Sequence, residues 1–419
     1  MTVRTTTLPS GLRVVTEQID RVATVSLGVW VGAGARHEPE NLSGISHLLE
    51  HMAFKGTRRR SAEAIAVEIE NVGGHLNAYT GRENTAYYAK VLAEDTDLAL
   101  DLLADILLQS VFDAEELARE RDVVLQEIGQ AYDTPDDIIF DHFQATAFPM
   151  QPIGRPVLGA PEIVAGMARE TLHDYLAQSY TADRMVVAAA GSLDHETIVD
   201  RVASVFADVQ PIAGQNEFVG ASYTGGGYRE TRALEQVHLV LGFPGVSIPD
   251  TDHYAAALYS TMLGGGMSSR LFQELREKRG MVYSVYSFSS SFTDSGIFGV
   301  YAGTGEQQAP DLVPLVFETM SDLGAAPRPG ELDRAKAQLR ASLLMSMEST
   351  GARAEALGQQ LLAYGRPLAT RELVDLVNGV TEADIARVSE RFLSGALTSA
   401  AIGPVDTLED HDRLSERLR

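Results

Sequence analysis

One pattern occurs twice along this chain, and the repeat limits the folds open to it. Val25, Leu27, Val29 and Val31 alternate with Ser26, Gly28 and Trp30, which is the period-two pattern of a strand with one face buried. Val237, Leu239, Leu241 and Phe243 alternate in the same way, and a constant offset carries Leu27 onto Leu239. A helical stretch follows in both places, from about Ser43 in the first half and from Asp252 to Leu263 in the second. Strands come next: a hairpin of Leu76 to Thr80 and Thr85 to Leu92 turning through Gly81-Arg82-Glu83-Asn84, and later strands between Tyr283 and Tyr301. Long helices are predicted over Leu98 to Ser110 and Asp113 to Ala131, and again over Gly330 to Glu348. The chain therefore reads as α+β, two homologous α/β units in tandem, each an antiparallel-rich sheet covered by helices. The expected boundaries are 1–210 for the first unit, 211–229 for a glycine-rich linker and 230–419 for the second.

Composition removes several classes of function. There is no cysteine among the 419 residues, so disulfides, thiolate nucleophiles and Cys-ligated metal sites are excluded, and any metal must be held by His and carboxylates. The formal charge of −24 repels a nucleic-acid backbone and favours basic partners. No uncharged apolar run approaches the ~20 residues of a bilayer span. Met1 to Val15 lacks the basic and apolar regions of a signal peptide, and the expected location is cytoplasmic.

His47-Leu48-Leu49-Glu50-His51 falls in the first helical stretch. At about 100° per residue the two imidazoles and the carboxylate share one face, and Ile45, Leu48, Leu49 and Met52 form an apolar stripe on another. Imidazoles at i and i+4 can reach one zinc ion, and a Glu just before the second His is placed to take a proton from water. This is the inverted form of His-Glu-x-x-His. With 10 His and 58 acids in the chain, about 0.03 chance matches are expected, and a helix surface of solvated His and Glu is the alternative. A third protein ligand is needed. Glu120 and Glu127 lie seven apart on one face of the helix that begins near Asp113, where Asp113 and Glu116 resemble a capping pair. That spacing also suits a solvated acidic stripe; near a cation, one carboxylate could ligate and the other could orient a histidine.

Together these residues resemble the zinc metallopeptidase family of mitochondrial processing peptidase, pitrilysin and the insulin-degrading enzymes, the insulinase family of inverzincins. They are most similar to the processing-peptidase catalytic subunit and its bacterial single-unit relatives. The family pattern is His-x-x-Glu-His followed well downstream by a Glu ligand, and Glu127 stands after His51 at that family spacing. The resemblance implies that His47, His51 and Glu127 bind one zinc ion per chain, that Glu50 is the general base, and that Glu120 supports the site. It implies a role near the scissile bond for Arg276 and Tyr283, which match the family's Arg-then-Tyr pair. His75-Leu76-Asn77-Ala78-Tyr79-Thr80 is similar to the family's edge strand, to which an extended, unfolded peptide adds through Asn77, Ala78 and Tyr79. Asp137 and Asp141 align with the acids that hold a substrate arginine, although position 137 is Asp where the family often has Glu.

The offset that aligns Leu27 with Leu239 puts Tyr259, Met262 and Leu263 where the first half has His47, Glu50 and His51, so the second copy has no ligands of its own. In the family, two such double units close like clamshell halves around an acidic chamber. This chain is one half, which implies a homodimer with Tyr283 serving the partner's zinc. The expected function is a zinc endopeptidase acting on basic, Arg-containing peptides, without nucleic-acid or membrane partners. A non-catalytic partner subunit of a peptidase complex and a dedicated maturase of one peptide are the alternatives.

Overall fold

Two sheets carry the chain, and the second repeats the strand order of the first. The structure, a computed structural model, describes residues 2–209 and 219–418, so part of the expected linker, 211–218, lies outside the described residues. The first sheet comprises β1 (Thr2–Thr7), β2 (Arg13–Gln18), β3 (Thr24–Val31), β4 (His75–Thr80), β5 (Thr85–Leu92) and β6 (Met185–Gly191), in the order β1-β2-β6-β3-β5-β4. The second comprises β7 (Gly226–Thr231), β8 (Val237–Pro244), β9 (Val282–Ser291), β10 (Gly296–Thr304) and β11 (Thr398–Gly403), in the order β7-β11-β8-β10-β9. The run β2-β6-β3-β5-β4 thus corresponds strand for strand to the whole second sheet. In each run the first pair is parallel and the rest are antiparallel.

The units interleave along the chain. One comprises Met1–Gly129, Arg155–Phe218 and Met345–Leu368, and the other Gln130–Gly154, Val219–Leu344 and Ala369–Arg419. A single division at 211–229 misses this exchange. Helix Pro135–Ala147, from the first half of the sequence, packs its Ile139, Phe143 and Ala147 on Val240, Ala400 and Ile402 of the second sheet. Helix Thr350–Tyr364, from the second half, packs Ala354, Leu357 and Leu361 on Trp30, Val186 and Ala188 of the first. Helical periodicity reports which face of a helix is apolar but not which sheet will cover it. The opposite face of the first sheet is covered by that unit's other helices, including Ile45–Ala53 and Thr96–Leu108. Burial on both faces explains why β6, Met-Val-Val-Ala-Ala-Ala-Gly, is apolar throughout instead of alternating.

The exchanged helices occupy equivalent positions with large and small residues traded. The offset between the two halves places Trp30 of β3 at Gly242 of β8, and aligning the two exchanged helices places Phe143 at Gly358. A Cβ on Gly358 would lie 2.4 Å from the Trp30 ring, and one on Gly242 would lie 2.3 Å from the Phe143 ring. Each contact therefore pairs one large aromatic ring with one glycine. Among the described residues, no helix is long and apolar enough to cross a membrane.

Gly358→Ala drives a methyl group into an indole that is 1% exposed, so it lowers the unfolding free energy by about 1–3 kcal/mol. Denaturant titration measures this, and the Gly358→Ala/Trp30→Phe pair recovers part of the loss.

Candidate metal centre

The helix bearing the histidine motif spans Ile45–Ala53 and buries Ile45, Leu48, Leu49 and Met52, the expected stripe. It starts two residues later than the sequence pattern suggests because Gly44 sits at φ +94°, outside the right-handed helical region. A Cβ there would meet the Leu158 carbonyl oxygen at 2.8 Å and the Gly159 Cα at 2.9 Å. The buried Glu38 carboxylate closes the helix start, accepting the Gly44 N–H at 2.7 Å and the Ser46 N–H at 2.9 Å. Burial pushes its carboxyl up to about 7, against the pull of those N–H groups and Arg155.

His47, His51 and Glu127 converge. Their ligand atoms all lie within 4.8 Å of one another, the one such cluster among the described residues. Glu127 Oε2 is 3.8 Å from His47 Nε2 and 3.6 Å from His51 Nε2. Tetrahedral zinc with bonds of ~2.0–2.1 Å separates its ligand atoms by roughly 3.3–3.4 Å, so small side-chain adjustments would seat the ion. Burial, and then His51, lower the His47 pKa to about 4, so this ring is neutral at pH 7, the form that ligates a metal. Its buried Nδ1 has no hydrogen-bond partner. The His51 Nδ1, in contrast, lies 2.9 Å from Glu120 Oε2, which directs Nε2 toward Glu127. Glu120 is 5% exposed and also pairs with Lys55 Nζ, 2.7 Å from its Oε1. Both carboxylates come from helix Ala114–Tyr132, which Asp113 caps by accepting the Glu115 and Glu116 N–H groups.

Glu50 lies on the same face as the imidazoles. Burial raises its pKa, and the Thr80 hydroxyl, which donates to Oε2 at 2.5 Å, counters that rise. Thr80 ends β4, so an edge strand holds the carboxylate. The arrangement can bind a divalent cation through two nitrogens and one oxygen beside a carboxylate able to accept a proton.

Residues 13–161 match the family Insulinase (Peptidase family M16), and residues 166–339 match the Peptidase M16 inactive domain. A zinc protease of Rickettsia felis is 38% identical over 95% of this chain and 97% of its own length. The chain belongs to the insulinase family of peptidases. Similarity extends to the mitochondrial-processing peptidase subunit beta of Blastocladiella emersonii, 36% identical over 99% of this chain and 91% of that one. In fold it is similar to the peptidase M16 inactive domain from Pseudomonas fluorescens, with a TM-score of 0.90 and 22% identity over 98% of this chain and 100% of that one. The inactive second domain of this insulinase-family chain carries Tyr259, Met262 and Leu263 at the copied positions, at most 3% exposed, and the Tyr259 hydroxyl donates to the Met320 carbonyl. An aromatic core thus fills the place of the metal cluster.

The other expected site residues belong to other elements. Asn77, Ala78 and Tyr79 are on β4, at the free edge of the first sheet as the insulinase resemblance implies. The Asn77 side-chain oxygen accepts the Ala78 N–H at 2.8 Å. The Tyr79 hydroxyl is committed to Glu355, at 2.5 Å, on the exchanged helix. In the second unit the Arg276 guanidinium stands 4.9 Å from the Phe272 ring centre and 5.7 Å from that of Tyr283, which is 75% exposed. Asp137 is exposed and Asp141 half-buried on one face of Pro135–Ala147. Reading the sequence missed Glu38, Lys55 and Thr80. Two left a signal: Lys55 lies one helical turn after His51, and Thr80 shares a strand face with Leu76 and Ala78.

Glu38 titrates near 4.5 unfolded and near 7 folded. The folded chain keeps its proton where the unfolded chain has lost it, so this contribution to stability is complete below about pH 4.5 and is lost as pH rises to 7. Denaturant titrations across that range should show the parent losing up to about 3 kcal/mol relative to Glu38→Gln, which cannot titrate.

Proposed function

We propose that this chain is a zinc endopeptidase hydrolysing extended, basic, Arg-containing peptides, with His47, His51 and Glu127 as ligands of one zinc per chain and Glu50 as general base. The convergence of the three ligand atoms beside Glu50 carries the reading. Zinc is the cofactor of this family's proteases, and it supplies Lewis acidity that makes water nucleophilic near neutral pH. Glu50 accepts the proton of the attacking water and delivers it to the leaving amine. With Thr80 on Oε2, the other carboxylate oxygen is left for that proton. Glu120 and Lys55 hold the His51 ring in its orientation.

The peptide adds to the free edge of β4, where backbone hydrogen bonds select unfolded segments. Tyr79 contributes its main chain there, because its hydroxyl is already bonded. Asp137 and Asp141 form a pair suited to a guanidinium fork, and the acidic balance of −24 concentrates cationic substrate. A second copy of the chain completes the chamber and presents its Tyr283 to this chain's metal.

Metal analysis and peptide hydrolysis test the core of the reading together. Glu50→Gln retains zinc near one per chain and loses at least about 10²-fold in kcat, whereas His51→Ala and Glu127→Ala lose the metal. Parent chain isolated with no zinc and no hydrolysis would favour a non-catalytic subunit. For the shared site, a Glu50→Gln chain mixed with a Tyr283→Phe chain recovers activity in demonstrated heterodimers; no recovery rejects sharing in trans.

A further inference from the structure

The exchanged helix Thr350–Tyr364 makes a polar contact with the back of the active-site strand that its counterpart in the second unit does not make. Glu355 accepts hydrogen bonds from the Tyr79 hydroxyl at 2.5 Å and from the Trp30 indole N–H at 3.1 Å. Gln359 donates to the same Tyr79 oxygen at 2.8 Å and to Glu355 at 3.0 Å. Burial and the Glu355 carboxylate push the Tyr79 phenol well above its ordinary range, so it remains a donor. Successive residues of a strand point to opposite faces. Tyr79 reaches the exchanged helix on one face of β4, and Thr80, the next residue, reaches Glu50 on the other.

The second unit supplies the comparison. The cross-strand row Tyr79, Ala86, Trp30 in β4, β5 and β3 corresponds to Phe288, Gly299, Gly242 in β9, β10 and β8. On the aligned helices, Glu355 corresponds to Phe140 and Gly358 to Phe143. Where the first unit has Tyr79 bonded to Glu355, the second has Phe288 packed against Phe140, with ring centres 5.5 Å apart, and against Phe143 at 6.2 Å. The same fold therefore closes this contact with aromatic rings alone. A polar network in such a place demands that every partner be satisfied, and stability gives no reason to prefer it. It occurs in the unit that carries the metal cluster and Glu50.

We propose that Glu355 is a positioning residue: by fixing Tyr79 from the back of β4, it sets the strand so that the Thr80 hydroxyl stays on the Glu50 carboxylate. The assignment rests on the reading of Glu50 as general base. Its effect falls on the chemical step, because a misplaced base slows proton transfer without removing the metal or the peptide-binding edge.

The deciding variant is Tyr79→Phe/Glu355→Phe, which transplants the second unit's aromatic pair into the first. Five quantities are compared with the parent: unfolding midpoint, zinc content, kcat and KM on one peptide, and amide exchange of residues 78–80 in the zinc-free chain. We expect an unfolding midpoint lowered only modestly, because the Trp30 indole N–H loses its acceptor, zinc near one per chain, faster exchange at 78–80, and kcat reduced about tenfold or more with KM changed less than about threefold. Glu355→Gln keeps one carbonyl oxygen, which accepts the Tyr79 hydroxyl while the bond from the Trp30 indole N–H is lost, and holds kcat within about threefold of the parent. Unchanged kcat in the double variant, or unchanged exchange at 78–80, overturns the proposal. Should the double variant fail to fold, Tyr79→Phe alone decides: it removes one hydroxyl, and parental kcat with parental exchange overturns the assignment. Full hydrolysis by Glu50→Gln would instead overturn the underlying reading of the base.

Discussion

The contact on which the metal cluster depends is the bond between His51 and Glu120. Two imidazoles one turn apart arrive together on a helix, but the third donor sits on another helix, and three atoms must meet within a few ångströms. Glu120 makes them meet by holding the far nitrogen of His51, so that the near nitrogen faces Glu127 on the same helix two turns along. A buried carboxylate doing this needs a counter-charge, and Lys55, just beyond the motif helix, provides it. The three donor atoms are thus set by one hydrogen-bonded triad, His51, the buried Glu120 and the partly exposed Lys55, linking two helices, while the apolar stripe of the motif helix holds that helix against the sheet.

The same sheet is constrained from behind. Because β3 and β6 are buried on both faces, some element must cover the side away from the histidine motif, and the chain uses a helix drawn from its other half. Trp30, the only tryptophan, lies under Gly358, and the pairing of a large ring with a bare backbone leaves no room for the helix to slide. The edge strand β4 is held on one face by the Tyr79–Glu355 bond and on the other by the Thr80–Glu50 bond, so Thr80 meets Glu50 from a strand fixed on both faces.

Much of this is legible in the residues themselves. Period-two alternation locates β3 and β8, the hairpin of β4 and β5 comes with its turn, and helical geometry puts His47, Glu50 and His51 on one face. The repeat that sets Leu239 against Leu27 implies matching sheets and a second copy without ligands. Two things are not legible, for physical reasons. β6 carries no alternation because both its faces are buried, so its pairing with β2 and β3 cannot be read from pattern. The exchange of Pro135–Ala147 and Thr350–Tyr364 turns on which sheet accepts a helix. The complementary pairs that encode it, Trp30 with Gly358 and Phe143 with Gly242, join positions far apart along the chain, where no local period links them. Lys55 and Thr80 are ordinary residues until their neighbours are known.

The exchange also bears on why a unit without ligands persists in a peptidase. Were each sheet covered by helices from its own half of the sequence, the later half of the chain would contribute nothing to the integrity of the first unit. Here the first sheet takes its back layer from Thr350–Tyr364, whose Ser349 cap and following segments belong to the later part of the chain. Loss of that helix would expose Trp30, Val186 and Ala188 to water and leave the carboxylate partner of Tyr79 missing. The chain beyond residue 344 is therefore needed to complete the core of the first unit, a constraint that acts on folding before any contribution to substrate binding is considered.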